Sequence, residues 1–257
     1  MVPQLQENRF ELKYLIDEPR ANAIRDCVRG FLIPDTHADP NAGFTYPIHS
    51  VYLDNPGLSL FNSTVQGHKN RFKLRARYYD DNPASPIYLE IKRRVNDAIL
   101  KKRAAVHRSC APGLIHGDPP RVEQLIDSGQ HKEWDALQNF CDLRDRLQAQ
   151  GRVIVSYTRE AWVTPDNNSV RLTMDRCICG LRFQREFSTA AFASGVRPHI
   201  GGVVLELKFT SRFPVWMRDA ARIFNLQRTS CAKYVYCTSA ISPGERKLRN
   251  ELENILA

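Results

Sequence analysis

Cations occupy every second position between residues 71 and 78, which read Arg-Phe-Lys-Leu-Arg-Ala-Arg-Tyr. A period of two is typical of a half-buried β-strand, because alternate side chains point to opposite faces. One face then carries four cations at a spacing of about 6.7 Å, namely Arg71, Lys73, Arg75 and Arg77. Neighbouring cations at that spacing repel each other by roughly 2 kcal/mol, so this face is expected to bind an anion.

A Glu-Leu-Lys or Glu-Ile-Lys tripeptide recurs three times inside alternating segments, at 11–13, 90–92 and 206–208. In each segment the glutamate and the lysine share a face, and the residue between them points the other way. Together with the segment at 71–78, this pattern predicts a barrel whose charged side chains point inward and whose apolar side chains point outward.

The inward faces of about eight such strands would carry many cations and a few carboxylates. The predicted cations are Arg9, Lys13, Lys73, Arg75, Arg77, Lys92, Arg94, Lys101, Arg103, Arg159, Arg171 and Lys208, and the carboxylates are Glu11, Glu90, Asp175 and Glu206. Arginine forks and lysine point charges suit phosphate oxygens. Carboxylates suit a hard divalent cation such as Mg²⁺ or Mn²⁺. The pattern therefore predicts a water-filled tunnel around a linear polyanion; Asp175 could instead orient Arg171.

Periodicity and turn residues predict the elements that position these side chains. We expect strands at 7–16, 46–54, 70–79, 87–95, 98–107, 153–163, 169–176 and around Glu206, with a short further strand at 181–186. Helices are expected at 18–31, 58–65, 119–128, 132–150, 214–224 and 230–239. The expected fold is α+β, an eight-stranded antiparallel barrel with helices packed outside. It forms one domain over residues 1–242, followed by a charged tail at 243–257 that is helical or disordered.

Composition narrows the partner and the compartment. The chain has 257 residues with 37 Lys and Arg against 28 Asp and Glu, a net charge of +9 that favours an acidic partner. Its seven cysteines lack paired metal spacing, so we expect reduced thiols in a cytoplasmic protein. We expect neither secretion nor membrane insertion, because no signal-like or long apolar run is present. The P-loop and dinucleotide-binding motifs are also absent from the sequence.

Several segments in collinear order over roughly residues 7 to 240 resemble one family, the VTC catalytic domain. This is the polyphosphate polymerase branch of the triphosphate tunnel metalloenzymes, within the CYTH-like superfamily, and the chain resembles its short bacterial form. The matching segments are Phe10–Tyr14, Ser50–Pro56, Lys73–Tyr78, Leu89–Arg94, Leu100–Arg103, Tyr157–Arg159, Ser169–Asp175, Val204–Lys208 and Ala232–Tyr234.

The resemblance implies a tunnel enzyme that transfers the γ-phosphate of ATP to a growing inorganic polyphosphate chain, with Mn²⁺ or Mg²⁺ bound. Glu206 matches the metal-binding glutamate of the family, and Lys233 matches a lysine of the terminal helix at the active site. The family has a serine where this chain has Ala232, so a hydroxyl is lost. The family's phosphate-binding basic positions correspond to Lys13, Arg75, Arg77, Lys92, Lys101, Arg159 and Arg171. Of these, Arg75, Arg77 and Arg159, with Lys233, are the predicted catalytic cations.

Two alternatives remain open at this point. The first is a hydrolase on the same scaffold that cleaves inorganic triphosphate or another short phosphate chain. The second is a non-catalytic module that binds polyphosphate or RNA, although the aromatic platforms used by binders of single-stranded nucleic acid are not evident on the cationic faces. We therefore expect no nucleic acid partner. The oligomeric state and a membrane-protein partner for the product are left open.

Overall fold

The computed structural model describes residues 9–96, 98–165, 169–210 and 212–241. Its strands form one antiparallel sheet. The strands are β1 (Arg9–Ile16), β2 (Ile33–Pro34), β3 (Thr45–Asp54), β4 (Asn70–Tyr78), β5 (Ile87–Val95), β6 (Ala98–Val106), β7 (Gln150–Val163), β8 (Val170–Arg182) and β9 (Val203–Thr210). Each of the eight long strands overlaps a predicted strand, but β7 begins before the predicted residue 153 and β8 continues past the predicted residue 176.

Eight of these strands form a ring in the order β7, β3, β4, β5, β6, β1, β9, β8, and the pairing of β7 with β8 joins the two ends of the order. The short strand β2 adds to the edge of β7. The strand pairing of the ring is weakest between β1 and β6. Strand β1 pairs with β9 along its whole length, whereas in the described chain its pairing with β6 is the single partner pair Arg9 and Ile99.

The apolar core lies on the outer face of this ring, as the pattern predicted. Leu74, Ala76 and Tyr78 of β4 point outward and are fully buried. They pack in one cluster with Leu137 and Phe140 of a long helix, α4 (His131–Leu147). A second outer cluster lies between β1, β8 and β9 on one side and two helices, α1 (Glu18–Val28) and α6 (Val215–Ile223), on the other. The helices therefore keep water from the outer face of the ring, and the charged side chains of the strands lie on its inner face.

Seven α-helices accompany the sheet in the described part of the chain. They are α1 (Glu18–Val28), α2 (Ser59–Val65), α3 (Ala111–His116), α4 (His131–Leu147), α5 (Ala191–Ser194), α6 (Val215–Ile223) and α7 (Lys233–Ile241). The bounds of α1 and α4 follow from their ends. Asp17 accepts a hydrogen bond from the backbone N–H of Arg20 at the start of α1, and Gln148 adopts a left-handed conformation after α4.

The terminal helix α7 differs from the others in its position. Tyr234 and Cys237 of α7 share a buried cluster with Val153, Val155 and Val204. Val204 is two residues before Glu206 on β9 and thus on the same inward face. Helices α1, α4 and α6 pack outside the ring as expected, while α7 fills part of its interior at one end.

Two predicted elements are wrong. Residues 119–128 do not form a helix beyond a single 3₁₀ turn at Val122–Gln124. The backbone N–H of His107 donates to the carbonyl of Gln124, and the backbone N–H of Ile126 donates to the carbonyl of Ala105, so this segment is tied to the end of β6. The separate strand at 181–186 is absent, since β8 continues unbroken to Arg182. Helix α3 was missed because it is short and contains Pro112 and Gly113, which are typical of turns. The tail predicted at 243–257 lies outside the described residues.

Candidate active site

A cavity of about 1270 Å³ occupies the interior of the ring. Among the described residues its lining includes fifteen Lys and Arg side chains and two carboxylates, those of Glu11 and Glu206. The lining contains every predicted catalytic and phosphate-binding residue, namely Lys13, Lys73, Arg75, Arg77, Lys92, Lys101, Arg103, Arg159, Arg171, Lys208 and Lys233. Arg94 also lines it, together with Lys69, Arg71 and Arg228. The side chain of Arg9 lies outside what the structure describes. The cavity therefore has a large excess of positive charge.

A row of lysines crosses three neighbouring strands on this wall. Lys73 of β4 is the register partner of Lys92 on β5, and Lys92 is the partner of Lys101 on β6. Directly opposed side chains on one face of a sheet have Cβ atoms about 4.5–5.5 Å apart, and like charges at such positions destabilise the sheet. The row is therefore a place where a bound anion would relieve repulsion.

Lys73 is the least compensated cation of the row. Burial, with Lys13 and Lys92 nearby, lowers the pKa of Lys73 well below its usual value. Lys92, by contrast, contacts Glu11 at 2.7 Å, and Lys101 contacts Glu90 at 2.6 Å. Burial also lowers the pKa of Lys101, to about 7, although Glu90 opposes that shift. An anion in the cavity would therefore add most to the countercharge at Lys73.

Glu206 lies at the centre of a second group of cations. Its carboxylate contacts Lys208 at 2.6 Å and Lys13 and Lys233 at 2.9 Å each. The guanidinium of Arg159 is 3.6 Å away. Burial would raise the pKa of Glu206, but Lys13 and Lys208 hold it well below its usual value. Glu206 is thus ionised and faces the cavity.

Asp175 supports two of the predicted catalytic cations from behind. Its two oxygens accept hydrogen bonds from Nε and Nη2 of Arg159, both at 2.7 Å. The ammonium of Lys233 lies 2.6 Å from Oδ2. Burial alone would lower the pKa of Lys233, but Asp175 and Glu206 raise it well above its usual value. Lys233 is therefore a permanent cation in this site. Asp175 orients Arg159, which the sequence did not indicate, since it suggested Arg171.

Glu90 is the third buried carboxylate and is fully inaccessible. One of its oxygens contacts Arg75 and the other contacts Lys101, each at 2.6 Å. Arg103 lies at 3.5 Å and Arg77 at 3.8 Å. Burial would raise the pKa of Glu90, but these cations hold it well below its usual value. Glu90 therefore fixes the positions of four cavity cations.

The four predicted metal ligands do not form one site. No group of three acidic, histidine or cysteine side chains suited to a metal occurs in the described part of the chain. Glu90 and Asp175 are directed at buried cations and do not line the cavity, which does not fit the predicted role of metal ligand. Glu11 and Glu206 do line it, and the ammonium of Lys13 lies 3.2 Å from the first and 2.9 Å from the second. This pair already holds one cation, so it fits a divalent ion shared with substrate oxygens.

Helix α7 brings Lys233 into the cavity through a network that starts at Asp54. The carboxylate of Asp54 accepts hydrogen bonds from the backbone N–H groups of Leu60 and Phe61 at the start of α2 and from the hydroxyl of Tyr234. The ring of Tyr234 also stacks on Tyr52 at a centroid distance of 4.8 Å. These contacts fix the first turn of α7, so Lys233 and the neighbouring Ala232 face the cavity.

Aromatic residues of the wall were missed in the sequence, where no stacking platform was recognised on the cationic faces. Five tyrosines of the described chain line the cavity, namely Tyr46, Tyr52, Tyr79, Tyr157 and Tyr234. The hydroxyls of three of them accept hydrogen bonds from arginines: Arg171 to Tyr46 at 3.0 Å, Arg75 to Tyr52 at 3.2 Å and Arg77 to Tyr157 at 3.3 Å. The signal was present, because Tyr157 and Tyr79 are each two residues from a cavity arginine on the same strand face.

Comparison with known proteins is informative at the level of sequence family. The model of the VTC domain matches residues 8–241. No curated protein matches the sequence significantly. None of the described helices is both long and apolar enough to cross a membrane.

Several solved structures are similar in outline. HpAC1 of Hippeastrum, assigned as an adenylyl cyclase with a dominant triphosphatase activity, is 12% identical, with 91% of this chain and 96% of that chain covered and a TM-score of 0.49. A Bacillus halodurans protein assigned as an adenylate cyclase is 12% identical over 88% and 94% of the two chains, with a TM-score of 0.48. PH1819 of Pyrococcus horikoshii is 12% identical over 89% and 96%, with a TM-score of 0.43.

Proposed function

The chain belongs to the VTC domain family, and from that premise we propose that it is a metal-dependent polyphosphate polymerase. It transfers the γ-phosphate of ATP to a growing chain of inorganic polyphosphate inside the cavity. The observation that carries this proposal is the row of Lys73, Lys92 and Lys101 on three adjacent strands. A wall that places like charges opposite one another is suited to a linear polyanion lying across it.

Binding of the phosphate chain is assigned to the cations of the wall. Arg75, Arg77 and Arg171 present guanidinium groups that can grip non-bridging oxygens, and each is held by a tyrosine hydroxyl. The lysines of the row add point charges to successive phosphates. Because most of these side chains are already positioned by Glu90 and the tyrosines, little conformational entropy is lost when the substrate binds.

The reacting phosphoryl group is assigned to the end of the cavity where Lys233 and Arg159 meet. Both cations are fixed by Asp175, so they can stabilise charge that develops on the transferring group. The raised pKa of Lys233 excludes it as a general base at neutral pH, because it stays protonated. Its role is therefore electrostatic.

Mn²⁺ or Mg²⁺ would be held by Glu206 and Glu11, the two carboxylates that line the cavity. A divalent ion bound there supplies charge neutralisation to substrate phosphate oxygens. Lys13 contacts both carboxylates, so such an ion would compete with its ammonium group for them. The remaining two acids, Glu90 and Asp175, act as positioning residues for the cations.

Incubation of the pure protein with ATP and Mn²⁺ tests this proposal. Products are resolved on a gel stained for polyphosphate, and orthophosphate is assayed in parallel. A ladder of long phosphate chains is the expected result. Absence of polymer under every priming condition would overturn the polymerase, and absence of both polymer and orthophosphate would favour a module that only binds polyphosphate.

Ala232 favours one alternative, a hydrolase of inorganic triphosphate or short polyphosphate. It lines the cavity beside Lys233, at the position where the family has a serine, so this chain lacks a hydroxyl next to the reacting group. If water takes the place of the phosphate acceptor, the wild-type protein releases orthophosphate without polymer. The variant Ala232→Ser separates the two activities, since a gain of polymer in this variant alone would assign the wild-type protein to hydrolysis.

The proposed setting is the cytoplasm. All seven cysteines are free, which is the state favoured in a reducing compartment. The proposed partners are ATP and inorganic polyphosphate or triphosphate, bound by a single tunnel domain over residues 1–242. Measurement of the thiol content of the purified protein under denaturing conditions would check the redox state.

A further inference from the structure

Three aromatic side chains stand together on one rim of the cavity, where β3 begins and β4 ends. His37, Tyr46 and Tyr79 all line the cavity, and we call them the rim cluster. The ring centroids of His37 and Tyr46 are 5.9 Å apart, those of His37 and Tyr79 are 6.1 Å apart, and those of Tyr46 and Tyr79 are 6.4 Å apart. These distances are usual for aromatic side chains in contact, so the three rings form one aromatic surface that borders the cavity.

The rim cluster borders the apolar cluster inside the ring, against which Tyr46 and Tyr79 pack, but that cluster does not enclose its three rings. His37 is exposed, and Tyr46 and Tyr79 are only partly buried. The side chain of Tyr79 is braced from behind by Tyr88, whose ring lies edge-on at 6.0 Å. The guanidinium of Arg103 lies 3.5 Å from the centre of the Tyr88 ring. Phosphate groups are bound by cations and hydrogen-bond donors, whereas an aromatic ring face stacks on a planar group. This rim is therefore suited to a different part of the substrate.

The cluster is continuous with the cations that we assign to phosphate. Tyr46 is the register partner of Arg159, and its hydroxyl accepts a hydrogen bond from Arg171 at 3.0 Å. Tyr79 follows Arg77 by two residues, a separation of about 6.6 Å along a strand. A ligand with a planar ring at one end and phosphates at the other would contact both groups together.

We propose that the rim cluster is a stacking platform for the base of a nucleoside triphosphate. This inference rests on the proposed function and deepens it, because it assigns an orientation to the ATP donor and names the residues that contact its base. The base stays on the rim, and the phosphates extend into the cavity toward Arg77 and Arg159. At the opposite end of β4, Arg71 and Lys73 of the strand and Lys69 just before it line the cavity, which suits the growing phosphate chain.

The test compares two ligands that differ by the nucleoside. Dissociation constants of ATP and inorganic triphosphate are measured by calorimetry for the wild-type protein and for Tyr79→Ala. Loss of one base–aromatic stack is expected to weaken ATP binding about tenfold and to leave triphosphate binding unchanged. Tyr79→Phe keeps the ring and is expected to restore the ATP affinity. His37→Ala, at an exposed position, provides a second variant that folds if Tyr79→Ala does not.

The platform would be overturned if Tyr79→Ala and His37→Ala weakened ATP and triphosphate binding by the same factor. It would also be overturned if they changed neither dissociation constant. Failure of the proposed function gives a different result. If no polymer forms from ATP but the variants still weaken ATP selectively, the platform stands and the polymerase falls. If polymer forms and the wild-type and variant proteins bind ATP equally well, the polymerase stands and the platform falls.

Discussion

The ammonium of Lys233 lies 2.9 Å from Oε1 of Glu206, and the two side chains are 7% and 5% exposed. This pair joins the first residue of helix α7 to the middle of strand β9, so the terminal helix and the cavity wall depend on each other. Removing one member of such a pair leaves a buried charge without compensation, which costs more than the pair itself contributes.

The variant Glu206→Gln is expected to abolish turnover and to keep most of the affinity for triphosphate. Glutamine cannot serve as an anionic metal ligand, but the cations around it remain and attract phosphate as strongly or more strongly. Polymer formation on gels and calorimetry with triphosphate measure the two properties. Equal loss of both would contradict this division of roles.

Stability of Glu206→Gln gives an internal control. The ligand-free variant is expected to unfold at a lower temperature than the wild-type protein, and triphosphate is expected to restore much of the difference by neutralising Lys13 and Lys208. Glu160→Gln is the matched control, because Glu160 is equally buried and paired with Arg25 at 2.7 Å, away from the cavity lining. Triphosphate should not rescue that variant preferentially.

The variant Lys73→Ala is expected to weaken triphosphate binding about tenfold, the effect of losing one charge-assisted hydrogen bond. Its melting temperature should be unchanged or higher, because the like-charge contact with Lys92 is relieved. Arg75→Ala is the comparison. This variant should lose binding, turnover and stability together, because the buried carboxylate of Glu90 loses a countercharge. Differential scanning fluorimetry with and without triphosphate separates the two variants. A lower melting temperature for Lys73→Ala would show that this residue has a structural partner.

The variant Glu90→Gln is expected to lower the free energy of unfolding by about 3 kcal/mol, because four cations lose a fully buried counter-charge. The loss should be the same with and without Mn²⁺. Glu11→Gln is expected to be less damaging to stability and to weaken the response to Mn²⁺, since Glu11 faces the cavity. Chemical denaturation at several Mn²⁺ concentrations checks this, and a metal-dependent loss in Glu90→Gln would return Glu90 to the list of ligands.

Affinity for triphosphate is expected to fall as the pH rises from about 6 to about 8, because Lys101, with a pKa of about 7, loses its proton. The arginine in Lys101→Arg keeps its charge at these pH values, so the triphosphate affinity of this variant should vary less with pH. Because the ligand titrates equally with both proteins, subtracting one affinity curve from the other removes that contribution. Calorimetry at a series of pH values measures the effect. Parallel curves for the two proteins would remove Lys101 from the site.

The same group gives an opposite sign for the stability of the ligand-free protein. The pKa of Lys101 is lower in the folded state than the value of about 10.4 in the unfolded chain, so the folded state binds fewer protons between about pH 7 and pH 10. The contribution of Lys101 to stability therefore rises with pH across that window. Denaturation of wild-type protein and Lys101→Arg without ligand checks the sign.

The inward positions of the cations could be predicted from the sequence because a strand repeats every two residues. The partners of the carboxylates could not, since they depend on the register between strands: Glu90 meets Arg75 and Lys101 only through the pairings of β5 with β4 and β6. The rim cluster escaped for a related reason. His37 comes from a loop, Tyr46 from strand β3 and Tyr79 from the residue after strand β4, so no local pattern unites them.

The position of the apolar core on the outer face of the ring has a consequence for how this protein can vary. In most domains the residues that keep the fold together also limit the shape of the binding site. Here Leu74, Ala76 and Tyr78 secure the wall from outside, while their inward neighbours Arg75 and Arg77 contact Glu90 and tyrosine hydroxyls and take no part in that apolar packing. Substitutions of inward residues can therefore change which anion the cavity binds without altering the apolar packing on the outer face.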